Sequence, residues 1–341
     1  MTNSTTITPP LIMGHRGFKE NETPENSLLA FKKAYQTGSV DIIETDVQLT
    51  SDGEVIICHD GTTGRMYSKD LIISQTSLED ITSDTVHIRE HPTLKILTLK
   101  QLLQWMISLD DSNSSKLKLL LDIKFTLDKI VLIKIYRTMM DLKPNREYWT
   151  SRIMFGIWNL DWFEFGYKSN IFNQFDVVNI TLNMSTPIQI INYVQQERNN
   201  NPHSSCKLFG VSIHFASTWT DVFQKQLLPL LLANNIKLIL WTVNELKYID
   251  YYVPKSVIYA ICTDKPLTFH NILLKKEAIN LTEIKPWRYF DFKLNFIYWI
   301  YWFLTNYIFT DFGTKTLISF RGNNVSILSL FIAFCKAVHF L

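Results

Sequence analysis

The sequence predicts an α/β protein, a TIM (β/α)8 barrel followed by a hydrophobic C-terminal tail. Short apolar, β-branched runs alternate with longer helical patterns as far as residue 280, which is typical of a parallel sheet. Eight such units can be drawn, and eight is the number that closes a parallel barrel. A doubly wound sheet would alternate in the same way, but no glycine-rich fingerprint follows the first strand, so the barrel is favoured.

The elements follow in order along the chain. The predicted strands cover 11–14, 40–46, 117–123, 152–157, 176–182, 207–213, 236–242 and 257–262. The predicted helices lie near 25–37, 98–108, 127–141, 161–169, 187–197, 221–234, 244–251 and 267–278. After the second strand, Asp52-Gly53 predicts a hairpin that folds His59 back over the barrel mouth. Residues 61–96 are then expected to form a polar, irregular loop above the site.

Composition excludes several classes of protein. The 341 residues suffice for one barrel, and 34 basic against 32 acidic residues give a net charge of +2, so no polybasic field points to nucleic acid. The four cysteines have no CxxC spacing, which favours reduced thiols and no zinc site. Cys58 and Cys262 lie in predicted strands and are expected to be buried. The polar extension 1–10 lacks the basic and apolar regions of a secretory signal, so none is expected.

The tail, residues 281–341, differs from the rest of the chain. A stretch of 14 uncharged residues, 296–309, is rich in Trp and Tyr, and a second apolar stretch covers 325–341. Both are shorter than the roughly 20 residues that span a bilayer. The tail is therefore a shallow hairpin or interfacial anchor, a span completed by its neighbours, or a pair of helices docked on the barrel. Lys285, Arg288 and Lys293 suit the anionic cytosolic face of a membrane.

Carboxylates gather at the predicted strand ends. Glu44 and Asp46 are two residues apart on one strand, so their side chains share a face. The same alternation puts Asp122 and Lys124 on one face of the third strand. Carboxylate oxygens are ligands for Mg²⁺ or Ca²⁺. A lysine and Arg16 beside such a metal indicate a site for a phosphate group.

Two histidines are candidates for proton transfer, because imidazole titrates near neutral pH. His15 and His59 each follow a predicted strand and each is next to a charged residue. His214 also follows a strand, and we expect it to be a spectator or a substrate contact.

The motifs together are similar to those of the glycerophosphodiester phosphodiesterase family, over about residues 11–275. They are His15-Arg16-Gly17, Pro24-Glu25-Asn26-Ser27, Glu44-x-Asp46, His59-Asp60, Asp122-x-Lys124, Trp241-Thr242-Val243-Asn244 and Thr263-Asp264-x-Pro266. The resemblance implies a TIM barrel of the phosphodiesterase type, a divalent metal, and hydrolysis of phosphodiesters that carry a glycerol on one side.

The resemblance also implies catalytic roles. His15 and His59 would be the acid/base pair, Arg16 would hold phosphate oxygens, and Lys124 would add charge stabilisation and contact the substrate. Trp241 would line the glycerol pocket.

The implied metal ligands are Glu44, Asp46 and Asp122, supported by Glu25 and Asn26. Asp122 stands where the family usually has glutamate, and this shorter side chain weakens the ligand or requires a bridging water. A smaller departure is Ser27, where threonine is more usual.

Compact size, the short 61–96 segment and the apolar tail make the chain most similar to the fungal branch of phosphatidylglycerol-specific phospholipases C. That resemblance implies release of diacylglycerol and glycerol phosphate from phosphatidylglycerol, by attack of the headgroup hydroxyl on phosphorus. It further implies an intracellular protein whose tail binds a membrane or lipid droplet. The barrel would then face the cytosol, on the endoplasmic reticulum, a lipid droplet or the mitochondrial surface.

Three alternatives remain at this point. The enzyme could act on soluble deacylated diesters such as glycerophosphocholine, or cut the other ester bond as a lysophospholipase D does. The barrel could also be a degenerate membrane tether, although an intact set of histidines, carboxylates and cations argues against this. No feature of the sequence predicts an oligomeric state.

Overall fold

The computed structural model describes residues 10–110, 117–245, 257–275, 292–308, 316–320, 323–327 and 330. Within these ranges, eight parallel strands form a closed barrel, because the first strand pairs with both the second and the last. The barrel strands are β1 (Leu11–His15), β2 (Ile42–Leu49), β5 (Lys118–Ile123), β6 (Ile153–Ile157), β7 (Asp176–Thr181), β8 (Gly210–His214), β9 (Lys237–Trp241) and β10 (Ile258–Thr263). The remaining strands are β3 (Val55–Ile57), β4 (Leu97–Thr98), β11 (Thr316–Phe320) and β12 (Asn323–Ser326).

Helices follow most barrel strands. They are α1 (Leu28–Gln36), α2 (Leu78–Ile81), α3 (Leu99–Ser108), α4 (Ile130–Leu142), α5 (Arg146–Thr150), α6 (Leu160–Lys168), α7 (Ser185–Asn200), α8 (Leu228–Ala233), α9 (Pro266–Lys275) and α10 (Phe292–Phe303). Polar side chains cap several of them. Ser27 accepts a hydrogen bond from the Ala30 amide at the start of α1, and Thr98 forms a capping box with Gln101 at the start of α3. Such caps satisfy amides that have no partner within the helix.

Alternation along each strand separates two apolar layers. In β5, Leu119 and Leu121 belong to the large cluster between strands and helices, whereas Leu120 faces the barrel interior. Side chains from seven of the eight barrel strands form the interior layer: Met13, Ile42, Leu120, Met154, Val178, Ile239, Ala260 and Cys262. The barrel interior is therefore filled by side chains. The next inward-facing residue of a strand, two positions further on, lies at the C-terminal mouth of the barrel.

The opposite, N-terminal end of the barrel is closed by aromatic and charged side chains. The rings of Phe209 and Tyr259 meet edge to face with centroids 5.1 Å apart. Lys118 Nζ lies 3.3 Å from Asp176 Oδ2 beside them.

The predicted hairpin is confirmed, but the prediction for the segment that follows it is wrong in one respect. β3 pairs antiparallel with β2 on one side and with β4 on the other. Residues 61–96 are not merely a polar, irregular loop, because they enclose an apolar cluster of their own with β3. Its buried members are Ile56, Cys58, Tyr67, Ile73, Ile81, Val86, Ile88 and Ile96. We call residues 61–96 the cap.

Other differences from prediction are local. The strand predicted at 207–213 is β8, which begins at Gly210, and α5 was not predicted. The helix predicted at 221–234 consists of a π-helical turn, Phe223–Leu227, followed by α8. Most of the helix predicted at 244–251 lies outside the described residues. Cys58 and Cys262 are buried, as predicted.

The described part of the tail packs one face of α10 against the barrel. Ile300 of α10 and Leu182 pack against Leu304 and Ile308, which are buried in the π-helical turn that follows α10. The helix also contacts the 3₁₀ turn Phe215–Trp219 that follows β8. Other apolar side chains are exposed, namely Phe292, Phe296, Trp299, Phe303 and Tyr307. Among the described residues, no helix is both long enough and apolar enough to cross a membrane.

Candidate active site

Three carboxylates meet at the mouth of the barrel. Glu44 and Asp46 project inward from β2, and Asp46 is the register partner of Asp122 on β5. One oxygen from each lies within 4.8 Å of the others, and all three residues are buried. The strand alternation that puts polar residues two apart on one face is what assembles this cluster.

Arg16 ties the cluster to the first strand. The residue has a positive φ of 57°, which aims its backbone amide at Glu44 Oε2, 2.9 Å away. Its guanidinium donates from Nη1 to Glu25 Oε1 at 2.9 Å, and Nε lies 3.3 Å from Asp46 Oδ2. In this structure Arg16 therefore orders carboxylates, in addition to any role toward a phosphate.

Asn26 fixes the central carboxylate. Its amide nitrogen donates to Asp46 Oδ2 at 3.0 Å, and its oxygen accepts from Thr45 Oγ1 at 2.8 Å. The backbone N–H of Asn26 donates to the backbone carbonyl of Arg16 at 3.0 Å. Gly17 lies in the same turn with φ 93°, where an added Cβ would lie 2.8 Å from the Phe31 ring. These contacts explain why the two motifs of this turn need asparagine and glycine.

Lys124 lies between two of the carboxylates. Its ammonium is 3.0 Å from Asp46 Oδ1 and contacts Asp122 Oδ2 directly. Trp158, one residue beyond β6, donates from Nε1 to Asp122 Oδ1 at 2.7 Å. Its ring centroid is 5.2 Å from the ammonium of Lys124. Asp122 is thus held from both sides.

The electrostatics of the cluster fit a divalent cation. Burial, and then the charges of Asp46 and Asp122, raise the pKa of Glu44 well above its usual value. Burial alone would raise the pKa of Asp46 as well, but Lys124 and other nearby cations hold it well below its usual range. The cluster brings three carboxylates together beside Lys124 and Arg16, and carboxylate oxygens are the ligands that Mg²⁺ and Ca²⁺ prefer.

His15 is oriented by the last barrel strand. Its Nδ1 lies 2.7 Å from Oδ1 of Asp264, the residue that follows β10. Asn244 holds the other oxygen of Asp264 through a 2.8 Å hydrogen bond from Nδ2, and Lys19 Nζ is 2.6 Å from Oδ1. Burial lowers the pKa of His15, and the hydrogen bond to Asp264 offsets this only in part.

His59 is oriented by its neighbour in the sequence. Its Nδ1 lies 2.8 Å from Asp60 Oδ1, while Arg65 from the cap donates to the other oxygen of Asp60 at 2.6 Å. Arg65 also bonds to Glu25. Gln48 Nε2 donates to the His59 carbonyl at 3.1 Å. The cap therefore takes part in positioning this histidine.

The two histidines share one tautomer. Burial would raise the pKa of Asp60, but the His59 and Arg65 contacts hold it at about 2. Contacts with His15 and Lys19 similarly hold the pKa of Asp264 well below its usual range, against burial. Both carboxylates are ionised at neutral pH and can only accept hydrogen bonds. Each Nδ1 therefore carries a proton, and Nε2 is the atom that exchanges protons in both rings.

Family membership follows from a match over most of the chain. The sequence profile of the Glycerophosphoryl diester phosphodiesterase family matches residues 15–268. The chain belongs to this family. The matched range contains every residue of the site just described.

Individual relatives of this family member match over shorter or weaker stretches. A glycerophosphodiester phosphodiesterase of Caldanaerobacter subterraneus is 42% identical over 71 residues, which are 21% of this chain and 28% of the relative. An uncharacterized protein of Bacillus subtilis is 32% identical over 102 residues, 29% of this chain and 41% of the relative. The chain thus spans less than half the length of these two relatives.

Solved structures of this family share the fold. The phosphodiesterase of Oleispira antarctica in complex with the product sn-glycerol-3-phosphate superposes with a TM-score of 0.56 at 19% identity, covering 78% of this chain and 97% of that one. A glycerophosphodiester phosphodiesterase of Parabacteroides distasonis gives a TM-score of 0.56 at 17% identity, covering 79% and 99%. At these identities the likeness establishes the TIM-type barrel.

The structure joins most of the predicted site residues of this phosphodiesterase family member in one network of hydrogen bonds and ion pairs. The network contains His15, Arg16, Glu25, Asn26, Glu44, Asp46, His59, Asp122 and Lys124. Trp241 and His214 form a separate edge-to-face pair, with centroids 5.5 Å apart, across β9 and β8. Burial lowers the pKa of His214 to about 3, so this imidazole is neutral.

Sequence reasoning assigned no role to several residues that contact the site. Among them are Lys19, Asp60, Arg65, Trp158, Asn244 and Asp264. Asp264 and Trp158 each lie two residues beyond an inward-facing position, Cys262 and Gly156, so inward alternation was a signal for both. Lys19 and Arg65 lie in loops, where sequence spacing does not define a direction.

Proposed function

We propose that this protein is a metal-dependent phosphodiester hydrolase that acts as a phospholipase C on phosphatidylglycerol, releasing diacylglycerol and glycerol phosphate. The observation that carries the chemistry is the pair of histidines with Nδ1 fixed on ionised carboxylates beside a three-carboxylate cluster. This arrangement combines two proton-transfer groups with a site for a cation, which is what phosphodiester cleavage requires.

The residues perform the reaction as follows. Nε2 of one histidine takes the proton of a headgroup hydroxyl as its oxygen bonds to phosphorus. The bond from phosphorus to the diacylglycerol oxygen breaks, and Nε2 of the other, protonated histidine gives that oxygen a proton. Water then opens the resulting cyclic phosphate with the histidine roles exchanged. Lys124 and Arg16 stabilise the negative charge on the phosphate oxygens.

Glu44, Asp46 and Asp122 would hold the metal, either Mg²⁺ or Ca²⁺. A divalent cation there supplies Lewis-acid stabilisation of the same oxygens. Among the described residues, the buried Nε1 of Trp241 has no hydrogen-bond partner. A buried donor of this kind is costly unless it is satisfied. A glycerol hydroxyl bound beside Trp241 would satisfy it, which supports the glycerol-binding role.

The lipid assignment rests on the exposed aromatic face of α10. Phe292, Phe296, Trp299 and Phe303 are 84%, 66%, 60% and 49% exposed, and their spacing puts them on one side of the helix. The helix itself contacts the turn after β8, at the mouth of the barrel. Exposed Trp and Phe next to the site suit insertion into a lipid surface. We propose that the tail holds the barrel on the cytosolic face of an internal membrane or lipid droplet.

A second candidate substrate is a soluble glycerophosphodiester. It is favoured by the Oleispira antarctica relative of the same fold, which was solved with sn-glycerol-3-phosphate as product. Both candidates use the same residues and differ only in the alcohol that leaves.

Product analysis tests the proposal. The full chain is incubated with detergent-dispersed phosphatidylglycerol and either metal, alongside His15→Ala and, as a matched control, His203→Ala, an exposed histidine outside the site. Diacylglycerol from wild type and His203→Ala, but not from His15→Ala or with chelator, is the expected result. Phosphatidic acid would move the cut to the other ester bond. Turnover of glycerophosphodiesters alone would refute the lipid assignment.

Vesicle flotation tests the tail. Phe296→Ser/Trp299→Ser is expected to lose binding to anionic vesicles and turnover of vesicle-embedded lipid, while hydrolysis of soluble diesters persists. Leu232→Ser removes an exposed apolar side chain from α8 and is the matched control. Equal flotation of wild type and both variants would contradict the role of this face.

A further inference from the structure

Trp158 is the residue of the site whose contacts the proposed mechanism leaves without a role. It follows β6 directly, two positions after Gly156, and this alternation brings its ring to the barrel mouth. Its Nε1 donates to Asp122 Oδ1 at 2.7 Å, and its ring faces the Lys124 ammonium with the centroid 5.2 Å away. The side chain thus contacts a candidate metal ligand and the cation beside it.

We propose that Trp158 is a positioning residue that holds the Asp122 carboxylate in the orientation that binds the metal. The inference rests on the metal dependence of the proposed function. The terminal torsion of an aspartate is broad, so an unrestrained carboxylate pays an ordering cost when it binds an ion. An indole N–H on one lone pair of Oδ1 fixes the carboxylate plane and leaves the second lone pair of that oxygen for a ligand.

The burial of the site makes this hydrogen bond consequential. Asp122 is only 5% exposed, so water has little access to replace the indole donor. Lys124 contacts the other oxygen, Oδ2, but an ammonium is a mobile point charge on a flexible stem. The rigid indole is the donor that sets direction. Partners of this kind around metal ligands typically change affinity by about 10–100-fold when removed.

The Trp158 ring also contacts Lys124. The test must therefore distinguish the effect of this ring contact from that of the N–H bond to Asp122. Trp158→Phe keeps an aromatic face for the ammonium and removes the N–H donor. Trp158→His keeps a ring N–H on a shorter side chain. Trp105→Phe is the matched control, because Trp105 is also half-buried but lies on α3, where it packs against Tyr35.

The experiment is calorimetric titration of the full-length, metal-free chain with MgCl₂ or CaCl₂ alone. Trp158→Phe is expected to raise the metal Kd about 10-fold, with Trp105→Phe unchanged and Trp158→His in between. A Trp158→Phe Kd within twofold of wild type would overturn the proposal. Equal weakening in Trp158→Phe and Trp158→His would also overturn it, since packing and not the N–H would then matter.

A second measurement covers failure of Trp158→Phe to fold. The indole N–H resonance of Trp158 in wild type, assigned through Trp158→His, is expected to shift during the metal titration, whereas that of Trp105 stays in place. An unmoved Trp158 resonance would contradict the proposal. Wild type that binds neither ion would refute the metal-dependent function itself, and a wild type that binds while Trp158→Phe binds equally would refute only the positioning role.

Discussion

Replacing Lys124 by methionine removes the cation from between two buried carboxylates. The ammonium lies 3.0 Å from Asp46 Oδ1 and also contacts Asp122, and these side chains are only 2% and 8% exposed. At an effective dielectric constant of about 20, the Coulomb attraction across one such contact is roughly 5 kcal/mol, before the cost of desolvating the two charges is subtracted. In practice, removing one partner of a buried ion pair lowers the free energy of unfolding by about 3–5 kcal/mol. We expect the lower end, about 3 kcal/mol, because the carboxylates can partly neutralise by taking up a proton.

The assay is urea unfolding at pH 7 in chelator. Lys118→Met is a matched control at the other end of β5, where Nζ is 3.3 Å from Asp176 and the two side chains are 27% and 16% exposed. This more solvated pair is expected to contribute less than about 1 kcal/mol. The difference between the two lysines isolates the effect of burial.

Repeating the measurement with metal completes the test. An ion at 100 times its Kd stabilises the wild type by about 2.7 kcal/mol. Lys124→Met is expected to gain more than this at the same ion concentration, because the ion then replaces the missing ammonium between Asp46 and Asp122. If Lys124→Met loses no more stability in chelator than Lys118→Met does, or if metal stabilises both lysine variants equally, burial does not strengthen the contacts of Lys124 and the prediction is wrong.

Three further outcomes are expected. Gly17→Ala places a Cβ 2.8 Å from the Phe31 ring at a φ of 93°, so the free energy of unfolding measured by thermal denaturation should fall by about 2 kcal/mol or more. A variant as stable as the wild type would contradict this. Asp46→Asn should abolish the rise in melting temperature that Mg²⁺ or Ca²⁺ gives the wild type, and an unchanged rise would remove Asp46 from the metal site. Contacts with His59 and Arg65 lower the folded-state pKa of Asp60 from 3.8 to about 2, so its stabilisation is present above pH 4 and lost as pH falls toward 2. Asp60→Asn should therefore lower the free energy of unfolding by about 1 kcal/mol at pH 7, after allowance for partial exposure, and change it little near pH 2. An equal loss at both pH values in urea titrations would argue against this ionic contribution.

The barrel and its carboxylate cluster were predictable because both depend on strand alternation. Runs such as Leu119-Leu120-Leu121 mark buried parallel strands, and Asp122 then follows at an inward position. The predicted strand bounds lie within about three residues of those observed. Glu44 and Asp46 were identified as a pair for the same reason, since period-two spacing defines a direction on a strand.

The cap and its contribution to the site were not predictable in the same way. Its buried residues, among them Ile73, Ile81 and Val86, are scattered between polar residues without a helical or strand period, so the segment resembles a polar loop. Arg65 is 47% exposed, and its contacts with Asp60 and Glu25 depend on how the cap folds over the barrel. Tertiary contacts of this kind leave no local pattern.

The bond between His15 and Asp264 has a consequence for synthesis of the protein. These residues are 249 positions apart, at the ends of the first and last barrel strands. A nascent chain therefore has the metal ligands and both histidines long before it has the group that sets the His15 tautomer. The contact between His15 and Asp264 can form only after β10 has been synthesised and has paired with β1.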